Sequence, residues 1–398
     1  MSAGRYFLQI PGPTNVPDRV LRAMDRPVPD HRGPELPALV RDVIDGLRGV
    51  FQTTRGEIVL YPGSGTGAWE ASIVNTLSPG DRVLAFNVGH FSHLYADCAR
   101  RFGIAVEEVD LPWSRGVPAD LVYERLSGDA AHVYRAVLVV HNETSTGVTS
   151  KVAAIRAAMN AARHPALLLI DVVSALGSID FRFDDWDVDV ALTGSQKGLM
   201  LPPGVAILCV GPRAISESAR ATSPRYFFDW RPVIEELQRG YFPYTPATLM
   251  LYGLREALRM LRDEGLPHVF ARHARLAEAI RRAVRAWGLS ILCEDPEEYS
   301  NSLTAVVVPG GVNADAVLRA SERLNLSLGT GLGRLRGRAF RIGHLGALGD
   351  LEVIATLGGV EMALRMAGVP VTLGAGVAAC QEFLMAHHMA APPTAPRS

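Results

Sequence analysis

The chain has 398 residues, 48% of them hydrophobic and 20% charged, and a formal net charge of -1. This composition supplies a large core, leads us to expect two domains, and argues against a nucleic-acid binder. The four cysteines, Cys98, Cys209, Cys293 and Cys380, lie far apart without metal-ligand spacing, so buried, reduced thiols and no metal site are expected.

The start, Met1-Ser2-Ala3-Gly4-Arg5, runs straight into Tyr6-Phe7-Leu8-Gln9-Ile10 and carries no apolar leader core. No apolar run approaches membrane-spanning length, so a soluble, cytoplasmic protein without a membrane partner is expected. Ile58-Val59-Leu60-Tyr61 reads as a strand that breaks at Pro62-Gly63-Ser64-Gly65-Thr66-Gly67 into a helix over Ala68 to Leu77. Further strands are predicted over Val83 to Phe86, Val106 to Val109, Ala136 to Val140, Leu167 to Ile170, Val188 to Leu192 and Val205 to Val210. Runs without polar alternation are the mark of strands buried on both faces, hence an α/β domain with a largely parallel sheet under helices. Ligands of such sheets sit beyond the carboxyl ends of the strands, so the strand-exit loops carry the information.

A helix over Leu251 to Leu261 is broken by Asp263-Glu264-Gly265-Leu266-Pro267. The expected organisation is an N-terminal arm over 1–20, a large domain over 21–264 and a smaller α+β domain over 265–398. Arg272, Arg275, Arg281, Arg282 and Arg285 interleave with Leu276, Ile280, Val284 and Trp287 at helical spacing, which predicts a solvated arginine face. Strands are expected over Thr304 to Val308 and Ala339 to Ile342, and a frayed tail over Ala391 to Pro396.

Only two of the 40 Lys and Arg residues are lysines, Lys151 and Lys197. Arginine replaces lysine at most solvated positions, but a guanidinium stays protonated and cannot attack a carbonyl. Lys197, in Thr193-Gly194-Ser195-Gln196-Lys197-Gly198 after an apolar run, is therefore a candidate nucleophile. Lys151 follows Thr149-Ser150 at a helix start and reads as an exposed first-turn residue.

Four strand exits converge if the sheet forms. Ser64-Gly65-Thr66 opens a helix, where backbone N–H groups favour a phosphate; the alternative is a plain tight turn. His141-Asn142-Glu143-Thr144-Ser145-Thr146-Gly147 is a polar loop, or equally an Asx or Ser/Thr turn with a helix cap. Asp171 follows four large apolar residues and needs a partner, which a heterocyclic N–H or a capped helix provides. Lys197 is the fourth. An amine, a carboxylate and a phosphate cradle together match the needs of pyridoxal 5'-phosphate. Arg341, in Phe340-Arg341-Ile342-Gly343, suits bidentate capture of a carboxylate or, equally, a surface ion pair.

Longer motifs carry a likeness. Pro11-Gly12-Pro13-Thr14-Asn15-Val16-Pro17, Asp30-His31-Arg32-Gly33-Pro34-Glu35, His141-Asn142-Glu143-Thr144, Gly194-Ser195-Gln196-Lys197-Gly198, Tyr241-Phe242-Pro243-Tyr244-Thr245-Pro246 and Phe340 to Gly346 occur in order. With them the chain resembles the class V, fold-type-I pyridoxal-phosphate aminotransferases, above all the bacterial serine–glyoxylate branch. The resemblance implies a large domain with a mostly parallel seven-stranded sheet, a small C-terminal domain and a homodimer with shared active sites. It implies Lys197 as the lysine that bonds the cofactor aldehyde and shuttles the substrate proton, and Asp171 as the partner of the ring nitrogen. It places Phe91 on the ring face, Thr144 at the ring hydroxyl, Ser64, Gly65, Thr66 and Gln196 at the phosphate, and Arg341 at the substrate carboxylate. Thr245 with Tyr244 or Tyr241 would reach the phosphate of the other subunit. The implied reaction is ping-pong transfer from an L-amino acid, serine first and aspartate or alanine as alternatives, to glyoxylate. Ala347 after Gly346, and Val172-Val173-Ser174 after the aspartate, depart from the usual pattern. A lyase or desulfurase on the same fold is the remoter alternative; the segment Leu328 to Gly333 lacks the cysteine a desulfurase requires.

Overall fold

The structure is a computed structural model, and it describes residues 6–390. The expected frayed tail, Ala391 to Pro396, lies outside those residues. In chain order the strands are β1 (Phe7–Gln9), β2 (Glu57–Gly63), β3 (Arg82–Asn87), β4 (Ala105–Asp110), β5 (Tyr134–Val140), β6 (Asn142–Glu143), β7 (Val148–Thr149), β8 (Leu167–Asp171), β9 (Val190–Gly194), β10 (Gly204–Val210), β11 (Ser290–Ile291), β12 (Leu303–Val307), β13 (Leu326–Thr330) and β14 (Ala339–Gly343). The helices that position the site are α1 (Asp18–Met24), α2 (Leu36–Phe51), α3 (Gly65–Thr76) and α4 (His90–Arg101).

Seven strands form one sheet in the order β2-β10-β9-β8-β5-β3-β4. All pairings are parallel except those of β10, which runs antiparallel to both β2 and β9. The apolar runs explain this. Every residue of β8 and β9 is buried, so both faces are covered, and the expected α/β fold is what forms. Each expected strand appears, β9 two residues later than its apolar run suggested. Helix α3 is buried almost all round, through Ala68, Ala71, Ser72, Ile73 and Asn75, and crosses β9 and β10.

A second sheet, β1-β13-β14-β12-β11, belongs mostly to the C-terminal third. Its own core includes Leu276, Ile280, Val284, Trp287, Phe340, Ile342, Leu357 and Leu364, whereas the first core ends at Val269. Helix Thr248–Glu264 stops at Gly265, and helix Leu266–Ala286 starts directly after it. The N-terminal segment joins this second sheet, because β1 lies parallel to β13 with Phe7 opposite Leu326. Helix α1 spans the expected end of the arm at residue 20.

Two surface expectations are corrected. The arginine face of helix Leu266–Ala286 is solvated only at Arg282 and Arg285; Arg272 and Arg275 are half-buried, and Arg281 is buried against Glu278 and the Ser300 carbonyl. Cys98 is half-buried, whereas the other three thiols are fully enclosed. Among the described residues no helix is long and apolar enough to cross a membrane, and no group of side chains has the makings of a metal site.

Candidate active site

The chemistry sits where the large sheet ends. Asp171 is the last residue of β8, and Lys197 lies three residues past the end of β9. Both are buried, as is Arg341, which sits within β14 and not beyond it. The Lys197 Nζ donates to the Pro11 carbonyl. Gly12 follows with φ +99°, and a Cβ there would fall 2.3 Å from Lys197 Cδ, so only glycine admits the lysine stem. Thr14 N donates to the Gln196 carbonyl at 3.0 Å and Thr14 Oγ1 to the Leu345 carbonyl at 3.0 Å. The N-terminal segment thus ties the lysine loop to the second sheet.

Asp171 caps no helix. Its Oδ1 accepts from Val173 N–H at 2.7 Å and its Oδ2 from the Trp69 indole at 2.7 Å. Among the described residues no cation touches it. Burial pushes its carboxyl up to about 7, against the lowering effect of those two hydrogen bonds; Glu143 adds to the rise and Lys197 opposes it. Burial brings Lys197 down to about 8, helped by the positive charge of Arg341 and opposed by Asp171. A lysine held there has a sizeable fraction of free amine near neutral pH. Burial also lowers Arg341 to about 10 while Glu143 opposes the shift, and its guanidinium still stays charged at neutral pH.

Arg341 makes no surface ion pair. Its Nε donates to the Thr330 carbonyl at 2.8 Å and its Nη1 to the Thr144 carbonyl at 2.8 Å. Among the described residues no protein acceptor takes its Nη2, which leaves part of the guanidinium fork for a ligand.

The loop from His141 to Gly147 is a buried hairpin built on β6 and β7. Thr144 Oγ1 donates to Ser174 Oγ at 2.7 Å. Glu143, fully buried, accepts from Ser92 N at 2.9 Å, from Phe91 N at 3.3 Å and from Ser145 Oγ at 2.6 Å. It therefore caps α4 from a remote segment, where Gly89 supplies no side chain. That fixes the backbone at Phe91, whose ring is half-buried. Sequence reading named Glu143 only as part of a motif; no local capping pattern reveals a donor–acceptor pair fifty residues apart.

Ser64 precedes α3, whose first turn is Gly65, Thr66 and Gly67; Ser64 makes no capping hydrogen bond. A Cβ on Gly194 would lie 3.1 Å from Gly65 N and 2.7 Å from Gln196 Oε1, so the carboxamide and the helix start face one small space. The predicted Ser64, Gly65, Thr66, Gln196 group is therefore brought together. Tyr244 and Thr245 are not at this cluster. Tyr244 donates to the Leu60 carbonyl at 2.7 Å and packs on Tyr61 and Phe227, and Thr245 is exposed. Tyr241 is half-buried. Lys151 stands exposed before the helix Val152–Ala161, paired with Glu297 at 2.5 Å.

Residues 6–333 match the family model described as aminotransferase class-V. The chain belongs to the class V aminotransferases. It is 46% identical over 386 residues to a serine–glyoxylate aminotransferase of Arabidopsis thaliana, with 96% of each chain covered. It is 47% identical over 374 residues to an L-aspartate–glyoxylate aminotransferase of Paracoccus denitrificans, with 94% of each covered. In structure it is similar to the ureidoglycine-glyoxylate aminotransferase of Bacillus subtilis, with TM-score 0.89, 26% identity, and 97% and 99% of the two chains covered.

A class V aminotransferase works with pyridoxal phosphate, and the residues present fit that group. The N–H groups at the start of α3, the Ser64 hydroxyl and the Gln196 carboxamide form a donor set for a phosphate. Gln196 Oε1 is buried without a hydrogen-bond partner, so this side chain is committed to nothing in the protein. Asp171 is a buried carboxylate with no cation against it among the described residues, which suits it to a protonated ring nitrogen. Lys197 is the only lysine among these groups and is free of carboxylate contact.

Proposed function

We propose that this aminotransferase moves the amino group of L-serine to glyoxylate, producing hydroxypyruvate and glycine in a ping-pong exchange. The observation that supports the chemistry is that Lys197, Asp171 and Arg341 are all buried, with Asp171 and Arg341 both within electrostatic reach of Lys197, and that among the described residues no carboxylate–cation contact joins them. The choice of substrates rests on near-full-length likeness to relatives named for glyoxylate, with serine in the Arabidopsis relative.

When bound, pyridoxal phosphate supplies an aldehyde and an electron-withdrawing ring. Lys197 holds the cofactor between turnovers; its free amine then takes the substrate α-proton and returns it to the cofactor side. Asp171 keeps the ring nitrogen protonated. Arg341, anchored by Thr144 and Thr330 carbonyls, takes the substrate α-carboxylate and sets which bond faces Lys197. Phe91 would cover one face of the bound ring, and Thr144 would meet its hydroxyl. Tyr244 or Tyr241, with Thr245, serves the phosphate of a second subunit in a homodimer. We place the domain boundaries as the sequence suggested, with the larger unit ending at 264.

Aspartate as donor is the second reading. A second carboxylate needs a further cation, and exposed Arg336 lies within electrostatic reach of His90, which also senses Arg341. Arg336 has no ion-pair partner among the described residues. Initial rates with serine, aspartate and alanine against glyoxylate separate these readings; aspartate faster than serine by tenfold would replace the first by the second. Lys197→Arg should remove turnover and the cofactor's visible absorbance together. Wild-type turnover in that variant would end the proposal.

A further inference from the structure

We propose that Trp69 is a positioning residue of this enzyme: its indole N–H fixes Asp171 in the one orientation and charge state that meets the cofactor's ring nitrogen. The inference rests on the reading of Asp171 as the ring-nitrogen partner.

The bond is short, 2.7 Å, and both side chains are buried, Trp69 5% and Asp171 3% exposed. An indole N–H can only donate, so it favours the ionised carboxylate and cannot switch roles as a hydroxyl can. Val173 N–H holds Oδ1 as Trp69 holds Oδ2, so the two donors grip both oxygens and set the plane of the group. The ring is itself immobilised. It stacks on Tyr95 with centroids 5.6 Å apart and planes at 19°, and the Tyr95 hydroxyl meets Ser72 Oγ at 2.8 Å. Ser72 Oγ also donates to the Trp69 carbonyl at 2.7 Å.

Trp69 stands one turn into α3, the helix whose first residues form the phosphate cradle. One helix therefore sets both ends of the cofactor, the phosphate by its N-terminus and the ring nitrogen through Trp69. The contrast with Trp287 is instructive. Its indole also meets a buried carboxylate, Glu361, at 2.9 Å, but Glu361 accepts from the backbone N–H groups of Gly374, Gly376 and Val377 as well. Glu361 is a saturated structural joint. Asp171 has one backbone donor and capacity left over, and the charged or titratable groups near it are Lys197 beyond β9, Glu143 in β6 and Tyr95 in α4.

The test is the pH dependence of pyridoxal-phosphate affinity in the cofactor-stripped full chain. Protonation of Asp171 opposes binding, so affinity falls on the acid side. Trp69→Phe keeps the aromatic stack and removes the donor; it should move that acid limb upward by about one pH unit and weaken binding at pH 7 about tenfold. With donor substrate, kcat should fall about tenfold at unchanged KM, and the isotope effect for an α-deuterated donor should rise. Tyr95→Phe alters the same stack without touching Asp171 and should leave the limb in place. Trp69→His restores a ring N–H and should return the limb to the wild-type position or below it, which also serves if Trp69→Phe does not fold. An unmoved limb in Trp69→Phe, or an equal movement in Tyr95→Phe, overturns the proposal. If Asp171→Asn keeps wild-type affinity and turnover, the reading of Asp171 itself fails and the role of Trp69 falls with it, whereas the Trp69 and Tyr95 variants test the role of Trp69 alone.

Discussion

Two buried aspartates lie at opposite ends of the same sheet and are treated in opposite ways. Asp189, just before β9, meets Arg156 at 2.7 Å, Leu168 N–H at 2.7 Å and Arg213 at 3.5 Å. Asp171, at the exit of β8, meets two neutral donors and no cation. Burial pushes both carboxyls upward, and only Asp189 has guanidinium groups against it. The entry edge of the sheet is closed with matched charges and serves the fold. The exit edge leaves its charges apart, as the cofactor site proposed above requires.

Exchanging the roles of these two sites should separate stability from chemistry. The largest effect is expected for Asp171→Asn, with kcat down on the order of 100- to 1,000-fold, because the ring nitrogen loses its counter-charge. Steady-state rates at saturating cofactor measure this. Arg156→Met leaves Asp189 buried without its closest cation and should cost about 3–5 kcal/mol of stability. It should shift the urea midpoint and leave turnover per folded site intact; adding Asp189→Asn should recover most of the loss.

A smaller effect concerns pH. The folded, cofactor-free chain holds the Asp171 proton up to about pH 7, against an ordinary value of 3.8. That contribution to stability is complete below 3.8 and is lost as pH rises through 7, at most about 4 kcal/mol. The thermal stability of the cofactor-free protein should therefore fall over that window, less so in Asp171→Asn. Binding of the cofactor should flatten the same curve. Cofactor capture by Lys197 should accelerate up to about pH 8 and then level off, as its lowered value requires. A rise continuing toward pH 10 would contradict a buried, depressed amine. The smallest effect is expected for Lys151→Ala, since its exposed pair with Glu297 is screened by water; neither midpoint nor turnover should move.

What the sequence made legible follows from range. Buried strands announce themselves by local composition, and Leu167 to Ile170 or Ala136 to Val140 needed no partner to be read. The scarcity of lysine singled out Lys197, and four large apolar residues singled out Asp171. Contacts across long stretches left no such mark. Trp69 lies 102 positions from Asp171 and looked like one more apolar residue of a helix. Glu143 capping α4, Pro11 receiving the Lys197 amine and β1 joining β13 are of the same kind. The His141 to Gly147 segment was legible as a polar strand-exit loop or a turn with a helix cap; that its polar side chains satisfy one another and the backbone inside the protein was not legible.

The pairing of β1 with β13 carries a consequence for the order in which the molecule is made. Phe7 meets Leu326, and the Pro11 carbonyl waits for an amine at position 197. The segment that carries β1 is thus synthesised long before the strand it joins. Until β13 follows it, about 320 residues later, its strand has no edge to join, and contacts of such sequence separation form slowly. The segment that seals the lysine loop is made before the loop, but the strand that anchors it, β13, is made well after Lys197, so a nascent chain can form the loop before its seal is held in place.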